Sequence, residues 1–224
     1  MKANHYSNIE TYDSKERFVS YWHQINEIKA CKPKTILEIG MGNGFVTDYL
    51  KKWKFNVTTL DISKDLKADY TGSVTKLPFE NNSFDVISCC EVLEHLPFEQ
   101  SLIGLKELHR VAKKKVILSL PDYNKAIKFG FNLPKTKFFT KIISYPYFFK
   151  KPAIFDGQHY WEIGKTEFSL KKLLFLMEKT GFKIIKTYRV FDCPYWRFFI
   201  LQKEKVKLRP KTITEKEDEI KSWW

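Results

Sequence analysis

The stretch TILEIGMGNGFVTDYL, residues 35–50, is mostly apolar at its start, breaks into Gly40, Gly42 and Gly44, and then resumes an apolar pattern. Glycines at a strand-to-helix turn let the backbone reverse tightly, approach a ligand closely and pack the helix against the sheet. The run therefore suggests a nucleotide-like cofactor, with packing alone as the structural alternative. A dinucleotide site would read GxGxxG; here the spacing is GxGxG, which suits a pyrophosphate less well, and no P-loop lysine follows.

Working outward, TILEI, NVTTLDI, FDVISCC and KKVILSL are short β-rich runs separated by helical lengths. Such alternation predicts a parallel sheet with helices on both faces. Asp61 ends the second run, about 20 residues beyond the glycines, where a carboxylate can accept both hydroxyls of a ribose. Before the first strand, YDSKERFVSYWHQINEIK begins with Asp13 and has Glu16 three residues on. That capping-box pattern, with Phe18, Trp22 and Ile25 at helical spacing, predicts an N-terminal helix. Residues 123–155 read as irregular, with Pro134, Pro146 and Pro152 among lysines and aromatics. Order resumes in a helix from about Ser169 stopped by Gly181, and in two strands, KIIKTYRV and WRFFILQK, close enough to pair antiparallel.

The chain has 224 residues, 43% of them hydrophobic, enough for one domain with additions. No apolar run approaches the roughly 20 residues that cross a bilayer, and MKANHYSNIE lacks the apolar centre of a secretory signal, so a cytoplasmic protein is expected. Cys31, Cys89, Cys90 and Cys193 show no CxxC pair; reduced thiols and no metal site are expected. The formal charge of +13 admits an anionic partner. However, only Arg17, Arg110, Arg189, Arg197 and Arg209 among the 39 basic residues are arginine, and lysine is the poorer reader of phosphate.

Three stretches in register carry a family resemblance: acidic-x-Gly-x-Gly-x-Gly at residues 38–44, the acidic strand end at Asp61, and GSVTKLPFENNSFDVISCCEVLEHLP at residues 72–97. Together they resemble the class I S-adenosylmethionine-dependent methyltransferases, in particular the small-molecule, type 11-like branch. The resemblance is continuous over residues 35–122 and weaker to about 202. It implies a Rossmann-like α/β fold with a seven-stranded, mostly parallel sheet, an antiparallel last strand and helices on both faces. It also implies S-adenosyl-L-methionine as cofactor. On the matching positions, Glu38, Gly40, Gly42 and Gly44 would hold the amino-acid part of the cofactor and Asp61 the ribose. Ser73 and Val74 would lie along adenine, and Glu91 and Val92 would flank the sulfonium. Family members commonly have Asp where this chain has Ser73, although a serine hydroxyl can accept from the exocyclic amine. Glu38 equally suits anchoring the loop from beneath.

Methyl transfer from a sulfonium is an in-line displacement that depends on alignment and, for an acceptor carrying a proton, is helped by a general base. His95, just after the fourth strand, and His159, in FDGQHYWEIG, are the candidate catalytic residues, each with a structural role as the alternative. His5, His23 and His109 give no such case. The chain divides into an N-terminal helical segment covering the cofactor site (1–33), a cofactor-binding half (34–122) and a basic, aromatic insertion acting as substrate lid (123–165). A C-terminal helix and strand pair (166–202) and a charged extension (203–224) ending in Trp223 and Trp224 follow. The expected activity is methylation of an oxygen or nitrogen on a small or lipid-linked metabolite. Peripheral membrane contact is compatible with the insertion. Two alternatives stand beside this. One is a nucleic-acid methyltransferase, disfavoured because EVLEHLP replaces the Asn/Asp-Pro-Pro-aromatic sequence of base-amino methylation and no Pro-Cys nucleophile occurs. The other is a non-catalytic cofactor-binding module contacting a partner or membrane.

Overall fold

A computed structural model of the chain describes residues 12–132, 138–145 and 151–204. The charged extension with Trp223 and Trp224, apart from residues 203 and 204, lies outside these residues. Helix α1 (Lys15–Ala30) precedes β1 (Ile36–Ile39), α2 (Phe45–Lys52), β2 (Val57–Asp61), a short β3 (Tyr70–Thr71) and β4 (Phe84–Cys90). There follow α3 (Phe98–Val111), β5 (Ala112–Pro121), β6 (Lys125–Phe131), β7 (Phe139–Tyr145), α4 (Leu170–Lys179), β8 (Phe182–Arg189) and β9 (Trp196–Lys203). Seven strands form one sheet in the order β3-β2-β1-β4-β5-β9-β8. Pairings from β3 through β5 are parallel, and β9 runs antiparallel to both β5 and β8. This is the expected sheet, last strand included.

Strands buried on both faces must be apolar at successive positions, which is how ILEI and FDVISCC read. Alternate residues enter different cores. On one face Leu37, Ile39, Ile87 and Leu118 meet Leu105 and Leu108 of α3 and Leu173 and Met177 of α4. On the other, Ile36, Val86, Ile117 and Phe198 meet Tyr21, Ile25 and Ile28 of α1 and Val46 and Leu50 of α2. The strand order reverses at the boundary between β1 and β4, successive strands being added on one side of β1 and then on the other, which opens a crevice beyond the carboxyl ends of these strands, the place where open α/β sheets bind ligands.

Three local expectations are corrected. The N-cap of α1 is Ser14, whose hydroxyl accepts from the Arg17 N–H (3.3 Å). Asp13 is instead taken by tertiary partners, accepting from Asn43 Nδ2 (2.9 and 3.1 Å) in the glycine turn and from the Tyr21 hydroxyl (3.3 Å). The buried face of α1 is also rotated: Tyr21, Ile25 and Ile28 face inward, whereas Trp22 is 60% exposed. Finally, the insertion is not irregular throughout. Strands β6 and β7 pair antiparallel from Lys125 opposite Tyr145 to Phe131 opposite Phe139. The prolines argue against strands, but Ile127, Phe129, Thr140 and Ile142 suit strand pairing once a partner is present. This ribbon lines a second groove together with Trp22, Tyr188 and Phe191, away from the crevice.

Helix α4 follows its sequence signals closely. Ser169 caps it by accepting from the Lys172 N–H (3.2 Å), and Gly181, at φ +101°, ends it. The four cysteines are free, and Cys89 is the fully buried one.

Candidate active site

A cavity of about 490 Å³ occupies the crevice beyond β1, β2 and β4. Its floor is the glycine turn. Gly40, Gly42 and Gly44 all have positive φ (76°, 56° and 81°), the region where side chains are strained. At Gly40 there is a second reason: a Cβ would stand 2.5 Å from Val92 Cγ2, so the turn and the segment after β4 approach as only glycine allows. Gly44 opens α2 as its N-cap.

Glu38, the third residue of β1, is buried and accepts a hydrogen bond from the Thr47 hydroxyl of α2, so it anchors the glycine turn from beneath while also lining the cavity. Burial pushes its carboxyl up to about 7, despite the Thr47 hydrogen bond. Asp61 ends β2 with one oxygen, Oδ1, accepting from the Ser63 N–H (2.8 Å). Ser73 and Val74 form the neighbouring wall. The Ser73 hydroxyl is engaged within a local turn, 2.8 Å from Thr75 Oγ1 and accepting from the Thr75 N–H (3.2 Å).

The opposite wall comes from the N-terminal segment, expected to cover the cofactor site, although none of its residues was singled out from sequence. Arg17, Ser20, Tyr21 and Gln24 of α1 line the cavity, and Tyr21 stacks on Phe45 at 4.9 Å, tying α1 to the start of α2. The Asp13 to Asn43 bonds add a second tie across the glycine turn. The available signal was a set of polar residues on what should be an inward-facing helix stripe.

The far end of the cavity is built from the segment after β4 and from residues distant in sequence. Glu91 has φ +54°, uncommon for a residue with a side chain, and accepts from the Ser119 hydroxyl (2.7 Å). A short 3-10 turn, Leu93–His95, follows. His95 and His159 come together there, ring centroids 5.0 Å apart, although 63 residues lie between them in the chain. His95 Nδ1 lies 2.9 Å from the Gln158 carbonyl and must donate to it. Burial, with the neighbouring His159 ring, lowers the pKa of His95 against the opposing pull of that carbonyl. His159 Nδ1 donates to Glu162 Oε1 (2.8 Å). Glu162 also accepts from the Tyr195 hydroxyl (2.6 Å) and pairs with Lys165 Nζ (3.2 Å). Burial alone would raise the Glu162 carboxyl, but these three partners outweigh it and hold it below the usual range. Glu162 and Tyr195 were not legible as site residues: both belong to an arrangement that exists only when β9 folds beside β5.

Glu94 is the unusual member of this end. It is 0% exposed, and neither carboxylate oxygen has a hydrogen-bond partner among the described residues. Burial, and then the carboxylate of Glu91, drive its pKa well above the ordinary value.

Of the residues singled out from sequence, Glu38, Gly40, Gly42, Asp61, Ser73, Val74, Glu91, Val92, His95 and His159 all line the one cavity. Gly44 lies beside it at the start of α2. From the insertion, Gln158 and His159 reach the cavity, whereas the β6–β7 ribbon does not.

Comparison with known proteins gives the same picture. Residues 37–120 match the family model described as "Methyltransferase domain". An uncharacterized protein of Methanocaldococcus jannaschii is 33% identical over 99 residues, covering 41% of this chain and 43% of that protein. A ubiquinone biosynthesis O-methyltransferase of Hydrogenovibrio crunogenus is 28% identical over 94 residues, covering 35% of this chain and 39% of that one. The chain thus matches about two fifths of the length of these curated relatives. Among solved structures, the 1,6-didemethyltoxoflavin-N1-methyltransferase of Burkholderia thailandensis, with bound 1,6-didemethyltoxoflavin and S-adenosylhomocysteine, superposes with a TM-score of 0.53. It shares 15% identity and covers 85% of this chain and 87% of that one.

The fold, the glycine turn and the domain match define the class: this is a class I S-adenosylmethionine-dependent methyltransferase fold, and S-adenosyl-L-methionine is the cofactor of the class. The residues present fit the cofactor: a glycine floor that a Cβ at Gly40 would obstruct, a strand-end carboxylate at Asp61 using one oxygen within the protein, and a cavity of small-molecule size. Among the described residues no helix is long and apolar enough to cross a membrane.

Proposed function

We propose that the chain transfers a methyl group from S-adenosyl-L-methionine to an oxygen or nitrogen of a small or lipid-linked metabolite. The observation that carries this reading is that one cavity combines a glycine turn and Asp61 at one end with two imidazoles, His95 and His159, at the other. Glu38 and the turn from Gly40 to Gly44 would hold the amino-acid part, Asp61 the ribose hydroxyls, and Ser73 and Val74 the adenine. Glu91 and Val92 would flank the sulfonium. When bound, the cofactor supplies a methyl group activated for displacement. The chain's own contribution would be alignment: α1 lines one side of the cavity, while the His95 and His159 end would meet the acceptor. The segment from residue 151 to 165, which brings His159 to the cavity, would select the acceptor.

Calorimetric titration of S-adenosylhomocysteine tests this reading. Micromolar binding is expected, weakened at least tenfold by Asp61→Ala, or about 1.4 kcal/mol. Absence of binding to the folded wild type would sink it. The acceptor class is then read from S-adenosylhomocysteine formation across a panel of hydroxyl, amine and lipid-linked metabolites.

A further inference from the structure

The acceptor end contains a set of donors that a bare proton-transfer site does not need. Glu94 is wholly buried with both oxygens unpartnered among the described residues, an arrangement that a stable protein retains only for a reason. One ligand atom each of Glu94, His95 and His159 lies within 4.8 Å of the others. The Nδ1 atoms of both histidines are committed as donors, to the Gln158 carbonyl and to Glu162, so the lone pair of each ring sits on Nε2. A ring N–H bound to a carboxylate or carbonyl is the arrangement by which proteins orient a metal-binding imidazole and raise its basicity. Glu162 is itself held by Tyr195 and Lys165, so this support is rigid.

We propose that Glu94, His95 and His159 hold one divalent transition-metal cation at the acceptor end of the cavity, leaving a coordination position for an oxygen of the methyl acceptor. Ligands at about 2.0 to 2.2 Å around one tetrahedral cation stand about 3.4 Å apart, so the three donors, within 4.8 Å of one another, must draw together around the ion as it binds. Two imidazole nitrogens and one carboxylate favour Zn²⁺, Mn²⁺ or Co²⁺ over Ca²⁺, which takes oxygen ligands. Three protein ligands leave a position open to substrate, and His95 and His159 line the cavity. The neighbouring set of Asp156, His159 and Glu162 is not equivalent. Asp156 Oδ1 accepts from the Gln158 and His159 N–H groups (3.0 and 2.8 Å), and both Glu162 oxygens are engaged by side chains. The cation site stands on its own geometry; the assignment of its open position to an acceptor oxygen rests on the proposed methyl transfer.

The test is a Co²⁺ titration of the chelator-treated full chain followed by visible absorption, with Zn²⁺, Mn²⁺ and Mg²⁺ as competitors. One equivalent should bind with micromolar or tighter affinity, displaced more readily by Zn²⁺ than by Mg²⁺. Glu94→Gln and His159→Ala should each weaken binding at least tenfold, whereas Asp156→Asn should leave it unchanged. S-adenosylhomocysteine affinity, measured on the same samples, should stay within about threefold in all variants, which reports that they are folded. Should Glu94→Gln fail to fold, the half-buried His159→Ala variant decides. No Co²⁺ binding at about 1 mM to a wild type that binds S-adenosylhomocysteine overturns the cation site and leaves the methyltransferase reading standing. Co²⁺ binding that both variants retain also overturns it. Cation binding without S-adenosylhomocysteine binding keeps the site and removes its assignment to a methyl acceptor.

Discussion

Glu38 carries a consequence of burial that can be measured apart from activity. Its carboxyl holds a proton to about pH 7 in the folded protein, against an ordinary value of 4.5. The folded state therefore binds this proton more tightly than the unfolded state. The associated stability is fully present below pH 4.5 and is lost as pH rises through about 7. Glu38→Gln keeps an acceptor for Thr47 and removes the titration. Compared with this variant, the wild type should lose up to about 3 kcal/mol of unfolding free energy between pH 5 and pH 8, by urea denaturation. Superimposable pH profiles for the two proteins would show that Glu38 is ionised at ordinary cost. At this scale the glycines and Asp61 were legible because their roles follow from backbone conformation and strand position. Asp13 was misread because Asn43 and Tyr21 compete for a carboxylate that would otherwise cap α1.

Among the elements, the junction of β5, β8, β9 and the insertion is held by Asp122. It is buried, accepts from Arg197 Nε (2.7 Å), and stands 3.7 Å from Arg189 Nε. Arg189 in turn donates to the carbonyls of Asp122, Asn124 and Lys125, which ties the start of β6 to the end of β8. Removing the one carboxylate leaves two buried guanidinium groups without it. Asp122→Ala should destabilise by about 3 to 5 kcal/mol in urea unfolding. A loss under about 1 kcal/mol would mean that the carbonyls around Arg189 and the Thr187 hydroxyl beside Arg197 satisfy the two arginines without it. The strands β1, β2, β4 and β5, helix α4 and the β8–β9 pair were readable from local pattern. The β6–β7 ribbon was not, since its β-branched and aromatic residues form strands only by pairing with each other, against the prolines in the same segment.

For the whole molecule, the cavity joins four distant parts of the chain: α1, the ends of β1, β2 and β4, residues 158 and 159, and Tyr195 with Trp196. A ligand that touches all of them binds only the folded state. Saturating S-adenosylhomocysteine, at about a hundred times its dissociation constant, should therefore raise unfolding free energy by about 2.7 kcal/mol and shift the thermal midpoint upward. An unchanged midpoint at millimolar ligand would mean that the cavity does not recognise the cofactor. The sequence by itself determined the class of fold, the glycine turn and the carboxylate at the end of β2, because periodicity, backbone freedom and strand ends are local properties. Only the tertiary structure decided which residues of α1 wall the cavity, that Glu94 is buried without a hydrogen-bond partner among the described residues, and that His95 meets His159 backed by Glu162 and Tyr195. Burial and hydrogen-bond partnership arise from contacts between segments far apart in the chain, and no local pattern carries them.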